Sequence, residues 1–200
     1  MPASSTKSVK RTGLLATALT TGAVAAGLLL SPTAGLAAPA AGPSGGSSAN
    51  GASASSAEVT ANSLTEEQID NARTIIGTGK AEDISDDGIT IALMTAMQES
   101  SLLDQEGGDR DSAGLFQQRP SMGWGSHDDV VDPVFATQSF FGTNDSIDNP
   151  GLLQVDGWED MNRGTAAQKV QRSAFPDAYD KWEPLAEDLL DEHDDVDPID

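Results

Sequence analysis

The ten residues GITIALMTAM, 88–97, carry no charge, and two threonines are their only polar side chains. At helical spacing they leave almost no polar face. A helix that is apolar nearly all round belongs at the centre of a core. Asp86 and Asp87 favour a helix N-terminus just before it, so the helix is predicted to start there and to carry Glu99 in its last turn. Such a helix must be covered by others. Ser63-Leu-Thr-Glu66 fits a capping box. Ile69, Ala72, Ile75 and Ile76 then recur at helical spacing, with Gly77 and Gly79 expected to end the helix. Asp132 as cap and Pro133 at the first position predict a helix over 131–142. TAAQKVQR, 165–172, reads as another, and 177–190 as a last one, bent or restarted at Pro184. GLLQVDGWEDM, 151–161, is expected to be a loop with a short helix. The expected fold class is mainly α (α+β), one domain over 63–188 with a central buried helix.

The chain before that domain has a different character. Residues 1–13 are polar and basic, 14–30 are apolar and uncharged, and small residues follow. That order predicts a secretory signal peptide over 1–38. The apolar run is shorter than the roughly 20 residues of a membrane span, so no stable membrane insertion is expected after cleavage. The protein is expected to be secreted, extracellular or associated with the cell wall. Residues 39–62 are mostly Ala, Gly, Ser and Pro and read as a flexible linker. Residues 189–200, half of them acidic, are expected to be a disordered tail.

Charge and cysteine usage exclude several functions. Lys7, Lys10 and Arg11 fall in the leader, which leaves eight basic against 32 acidic side chains. Such a surface repels nucleic acid and anionic lipid, so no nucleic-acid partner is expected. It also needs salt, or a local cation, to approach an anionic polymer. There is no cysteine, hence no disulfide staple, thiolate nucleophile or cysteine zinc site. His127 and His193 are too few for an all-histidine site, and His127 reads as a solvated loop residue. No metal or cofactor is expected, and the chain is expected to be monomeric.

Chemistry is concentrated where the central helix gives way to loop. A carboxyl half-shielded at a core edge has its charged form disfavoured, which suits a general acid. The alternative for Glu99 is a carboxylate turned outward into solvent. Gly107, Gly108, Gly114, Pro120, Gly123 and Gly125 then punctuate an irregular region in which pieces such as GLFQQ could be extended. It carries Asp109, Arg110, Asp111, Phe116, Gln117, Gln118 and Trp124. Aromatic faces stack on sugars and amides bond to hydroxyl and N-acetyl groups, so these residues fit a sugar-polymer groove. The alternative reading is core packing for Phe116 and Trp124, a surface ion pair for Arg110, and turn formation for Asp109 and Asp111.

The run ITIALMTAMQESSLLDQEGGDRDSAGLFQQRPSMGWGS, with DPVFAT, GLLQVDGW and VQRSAFPDAYDKWEP, resembles a family of small secreted actinobacterial proteins with a lysozyme-like, lytic-transglycosylase-like domain. The resemblance covers about residues 67–186. It rests on Glu99-Ser100 at a helix end and on Ser112-Ala-Gly-Leu-Phe-Gln117, which has one residue fewer before its Gly than the family pattern. It implies that Glu99 is the acid/base and that the segment around Gln117 lines a saccharide groove with Ser100 nearby. The transglycosylase run Ala-x-x-Tyr-Asn-x-Gly is missing, and Tyr179 is the candidate to stand in for its tyrosine.

The substrate implied is the glycan strand of peptidoglycan. Glu99 would protonate the glycosidic oxygen and then either deprotonate the muramic C6 hydroxyl, giving an anhydro product, or leave water activation to a second carboxylate. Asp109 and Asp111 are the candidates for that second role. Gln117 would orient the sugar, and Arg110 or Arg119 would meet a peptide or muramyl carboxylate. The competing expectation is a non-catalytic wall-glycan-binding module on the same fold.

Overall fold

The computed structural model describes residues 59–172 and 176–199. The expected signal peptide and most of the expected linker lie outside them. The described chain is mainly helical. Its helices are α1 (Glu66–Ala81), α2 (Asp86–Ser100), α3 (His127–Val130), α4 (Pro133–Phe141), α5 (Arg163–Gln171) and α6 (Glu183–Glu192). Short 3-10 turns connect them. Among the described residues the only β pairing is an isolated bridge between Ala113 and Gln118.

The central helix is α2. Ser85 caps it by accepting from the Gly88 amide, and every residue from Gly88 to Met97 is buried. It packs against α1, α4, α5 and α6. The lack of a polar face thus has its physical reason: each side of α2 meets another helix.

The first helix differs from expectation at both ends. Thr65, not Ser63, is the N-cap, and Gln68 closes the capping box. Ala61–Ser63, partly in the expected linker, form a 3-10 turn in which Ala61 is buried. Gly77 and Gly79 do not end α1, which runs on to Ala81. They are points of close approach instead. A Cβ on Gly79 would lie 2.6 Å from the Ile89 side chain, and one on Gly77 would lie 2.6 Å from Ile199.

That second contact belongs to the segment expected to be a disordered tail. Leu189 is buried in α6, and Val196 is buried beyond it. The Ile199 amide donates to Gly77 O at 3.0 Å. Lys80 Nζ donates to the carbonyls of Asp194 and Val196. Composition missed this seating because beyond α6 only Val196 and Ile199 interrupt a mostly acidic stretch with large apolar side chains.

The expected last helix, 177–190, is instead two 3-10 turns followed by α6, while the other helices lie close to their expected positions. Asp132 caps α4 with Pro133 at its start, although 127–130 forms its own one-turn helix, so His127 is helical rather than loop. The segment 151–161 contains two 3-10 turns, and α6 begins just before Pro184.

Candidate active site

The end of α2 is built with unusual backbone. Ser101 and Leu102 both take left-handed φ values, 57° and 58°, which non-glycine residues adopt only when their surroundings hold them there. Two α1 side chains do so. Gln68 Nε2 donates to Ser101 O at 2.7 Å, and Asn71 Nδ2 donates to Leu102 O at 2.9 Å. The turn of α2 that carries Glu99 is therefore braced from α1.

Ser100 adds a second brace. It is 2% exposed, and its hydroxyl lies 2.8 Å from Leu115 O and 3.0 Å from Ala96 O. It clamps the following loop to the helix end, and its hydroxyl is buried on these two carbonyls rather than open for the expected substrate contact. The loop is pinned again by the Gly114 amide to Gln105 O at 2.7 Å and by Gln171 Nε2 of α5 to Phe116 O at 2.8 Å. Gly114 has φ +73°, and a Cβ there would lie 1.8 Å from Val130 O, so no other residue fits.

Glu99 itself is half-buried. Tyr179, 1% exposed, donates its hydroxyl to Glu99 Oε1 at 2.6 Å. Burial pushes the Glu99 pKa above its ordinary value, and the Tyr179 hydrogen bond offsets part of that rise. Among the described residues no second carboxylate contributes to the shift. Next to it, Trp182 Nε1 donates to Gln98 Oε1 at 2.9 Å. Two consecutive side chains at the end of α2 thus hold the segment 179–182.

The other candidates divide. Phe116 is core, stacked on Phe140 with ring centroids 4.7 Å apart. Gln118 is 3% exposed and donates to Ala136 O, and it forms part of the wall of a small cavity next to Gln117. Asp111 is held by Arg119 Nε at 2.9 Å and by the Ser121 amide at 2.7 Å. The Ser121 hydroxyl and amide first, then Arg119, hold its carboxyl well below the usual range, which makes it a poor base. Asp109 and Arg110 form a loose pair, 3.9 Å apart, at an exposed turn. The contacts of Asp109 and Asp111 are with these loop partners, not with Glu99 or Tyr179.

Gln117 accepts from the Ser112 hydroxyl at 3.0 Å and donates to Gly114 O at 3.2 Å. It also lines a cavity of about 250 Å³ with Arg119, Met122, Trp124, Gln171 and Arg172. Glu99 is not among the lining residues. A larger opening of about 540 Å³ involves Lys80, Asp86 and Arg163. Asp86 lies 13 residues before Glu99, about 20 Å along α2 at ~1.5 Å per residue. Its Arg163 is already bound by Asp87, Glu183 and Glu187.

Sequence patterns did not single out Gln68, Asn71, Gln98, Gln171, Arg172 or Trp182. Arg172 apart, each meets a group 31 or more positions away in the chain, and local periodicity carries no trace of such pairs. Among the described residues no group of three or more His, Cys, Asp or Glu could hold a metal ion, and no helix is long and apolar enough to cross a membrane. Comparison with known proteins found no family model that matches this chain and no curated protein that matches it.

Proposed function

We propose that this domain cleaves the glycan strand of peptidoglycan, with Glu99 as its single acid/base, on a lysozyme-like helical scaffold. The observation that carries the reading is the Tyr179–Glu99 hydrogen bond at the end of the buried central helix. A carboxyl whose pKa is raised by burial keeps its proton nearer to neutral pH, which is the state a general acid needs. The reaction breaks the bond between C1 of muramic acid and the glycosidic oxygen as Glu99 delivers its proton to that oxygen. The resulting carboxylate then takes the C6 hydroxyl proton while O6 bonds to C1. No water is consumed, and the 1,6-anhydro product leaves Glu99 protonated again. The engagement of Asp111 by Arg119 and Ser121 favours this one-carboxylate route over a hydrolytic one.

The test is digestion of purified peptidoglycan by the chain and its Glu99→Gln variant across a range of salt, with products identified by mass spectrometry. Anhydro-muropeptides that disappear in the variant are the expected result. Reducing-end products would shift the mechanism to hydrolysis. A second reading, a non-catalytic glycan-binding module, is favoured by one observation: Glu99 does not line the cavity that holds Gln117 and Trp124. A folded chain that binds the glycan and releases nothing would establish that reading instead.

A further inference from the structure

We propose that Arg172 makes the cavity beside Trp124 a receptor for a carboxylate-bearing sugar, and so selects N-acetylmuramic acid, with its lactyl carboxylate, over N-acetylglucosamine. The inference rests on the reading of a glycan as ligand, and it moves the anion-binding role from Arg110 and Arg119 to a residue of α5.

The argument begins with charge. The chain has a formal net charge of −21, so a carboxylate approaches it only where a cation is locally unopposed. Arg119 lines the cavity, but Asp111 already neutralises it at 2.9 Å. Arg110 is paired with Asp109 and is not on the cavity wall. Arg163 is held by three carboxylates elsewhere. Arg172 is exposed, lines the cavity and has no carboxylate within ion-pair distance among the described residues. A guanidinium suits a carboxylate because it can bind both oxygens in one plane.

The site is also held in shape. Arg172 caps the C-terminus of α5 with φ +52°, and Gln117 in the same cavity has φ +47°. Between them, Gln171 Nε2 bonds to Phe116 O at 2.8 Å, which ties α5 to the loop carrying Gln117. Trp124 is half-buried against the core and presents an aromatic surface to the cavity. At about 250 Å³ the space lies just below the ~300–1,000 Å³ of ordinary ligand pockets, a size for one sugar ring rather than a long ligand.

N-acetylmuramic acid and N-acetylglucosamine differ only in the lactyl group, so they isolate the carboxylate. The full chain, labelled with ¹⁵N at tryptophan, is titrated with each sugar while the Trp124 indole resonance, assigned with Trp124→Phe, is followed. The acidic sugar should bind about ten-fold more tightly, the scale of one charge-assisted hydrogen bond, and that ratio should shrink as salt rises. Arg172→Gln should bring the ratio to about one. Arg172→Lys should keep part of the preference. If the unmodified chain binds both sugars alike, or Arg172→Gln keeps the preference, the role of Arg172 is wrong and the glycan reading survives. If neither sugar binds, the glycan reading falls together with this proposal.

Discussion

The Tyr179 hydroxyl donates to Glu99 Oε1 across 2.6 Å, joining residues 80 positions apart in the chain. The bond steadies the charged carboxylate and so opposes the effect of burial on Glu99. Tyr179→Phe should therefore raise the Glu99 pKa further, as read from the pH titration of its side-chain carboxyl by ¹³C NMR. Glycan cleavage should fall about ten-fold, the value of one hydrogen bond to a charged group. An unchanged or lowered pKa would show that Tyr179 does not act on the carboxylate.

Glu99 should also cost the fold stability. Its folded pKa lies above the ordinary 4.5, so the folded state holds the proton more tightly. That contribution is present below pH 4.5 and is lost as pH rises through the folded value. Glu99→Gln keeps an acceptor for Tyr179 and removes the charge. It should stabilise the protein at pH 7, by on the order of 1 kcal/mol, and much less at pH 4. Thermal unfolding of the two chains at both pH values reads this directly. A gain of equal size at both would deny the burial of an ionised Glu99.

Asp111 has the opposite sign. Its folded pKa is depressed by Ser121 and Arg119, so its contribution is present above the ordinary 3.8 and is lost as pH falls through the folded value. Asp111→Asn should loosen the loop 104–125 at neutral pH, seen as faster amide exchange at Ser121, and should leave amide exchange in α2 unchanged. Unaltered exchange at Ser121 would mean that the carboxylate is not its anchor.

The seating of the C-terminal segment rests on Gly77. A helical glycine is normally worse than alanine by about 1 kcal/mol, yet Gly77→Ala should destabilise the chain because its Cβ would meet Ile199 at 2.6 Å. The cost should be about 1–3 kcal/mol, as for other overpacked contacts. In a double-mutant cycle, Ile199→Ala should relieve most of it. Additive effects in denaturant titrations would place Ile199 away from α1.

Asp104 holds a buried carboxylate oxygen with no hydrogen-bond partner among the described residues. Burial first, then Glu106, Asp132 and Glu67, push its pKa up. Asp104→Asn should stabilise the fold at pH 7 by less than ~1 kcal/mol, since solvent screens much of this partly exposed group. The gain should vanish below about pH 4, where the unfolded chain also binds the proton. A lower melting temperature for the variant at pH 7 would reveal a partner for that oxygen.

Much of the architecture is legible in the pattern of side chains. GITIALMTAM could only be a central helix, and Asp132-Pro133 could only begin one, because both signals lie within a few residues of the structure they make. Glu99 was legible for the same reason, as an acid in the last turn of that helix. Gly77 and Gly79 misled because glycine has two uses, ending a helix and admitting a close neighbour. Only the position of Ile89 and Ile199 decides which applies.

By itself, then, the sequence determined a mainly helical chain around one buried helix, an acidic surface and a carboxyl at the edge of its core. Tertiary structure decided which side chains meet there. It placed Tyr179 on Glu99, buried the Ser100 hydroxyl against Leu115 O, tied Asp111 to Arg119 and set Arg172 on a cavity wall with no carboxylate partner among the described residues. The physical reason is range. Periodicity and capping act within a turn or two of the chain, whereas a site is assembled from groups brought together only when the helices pack.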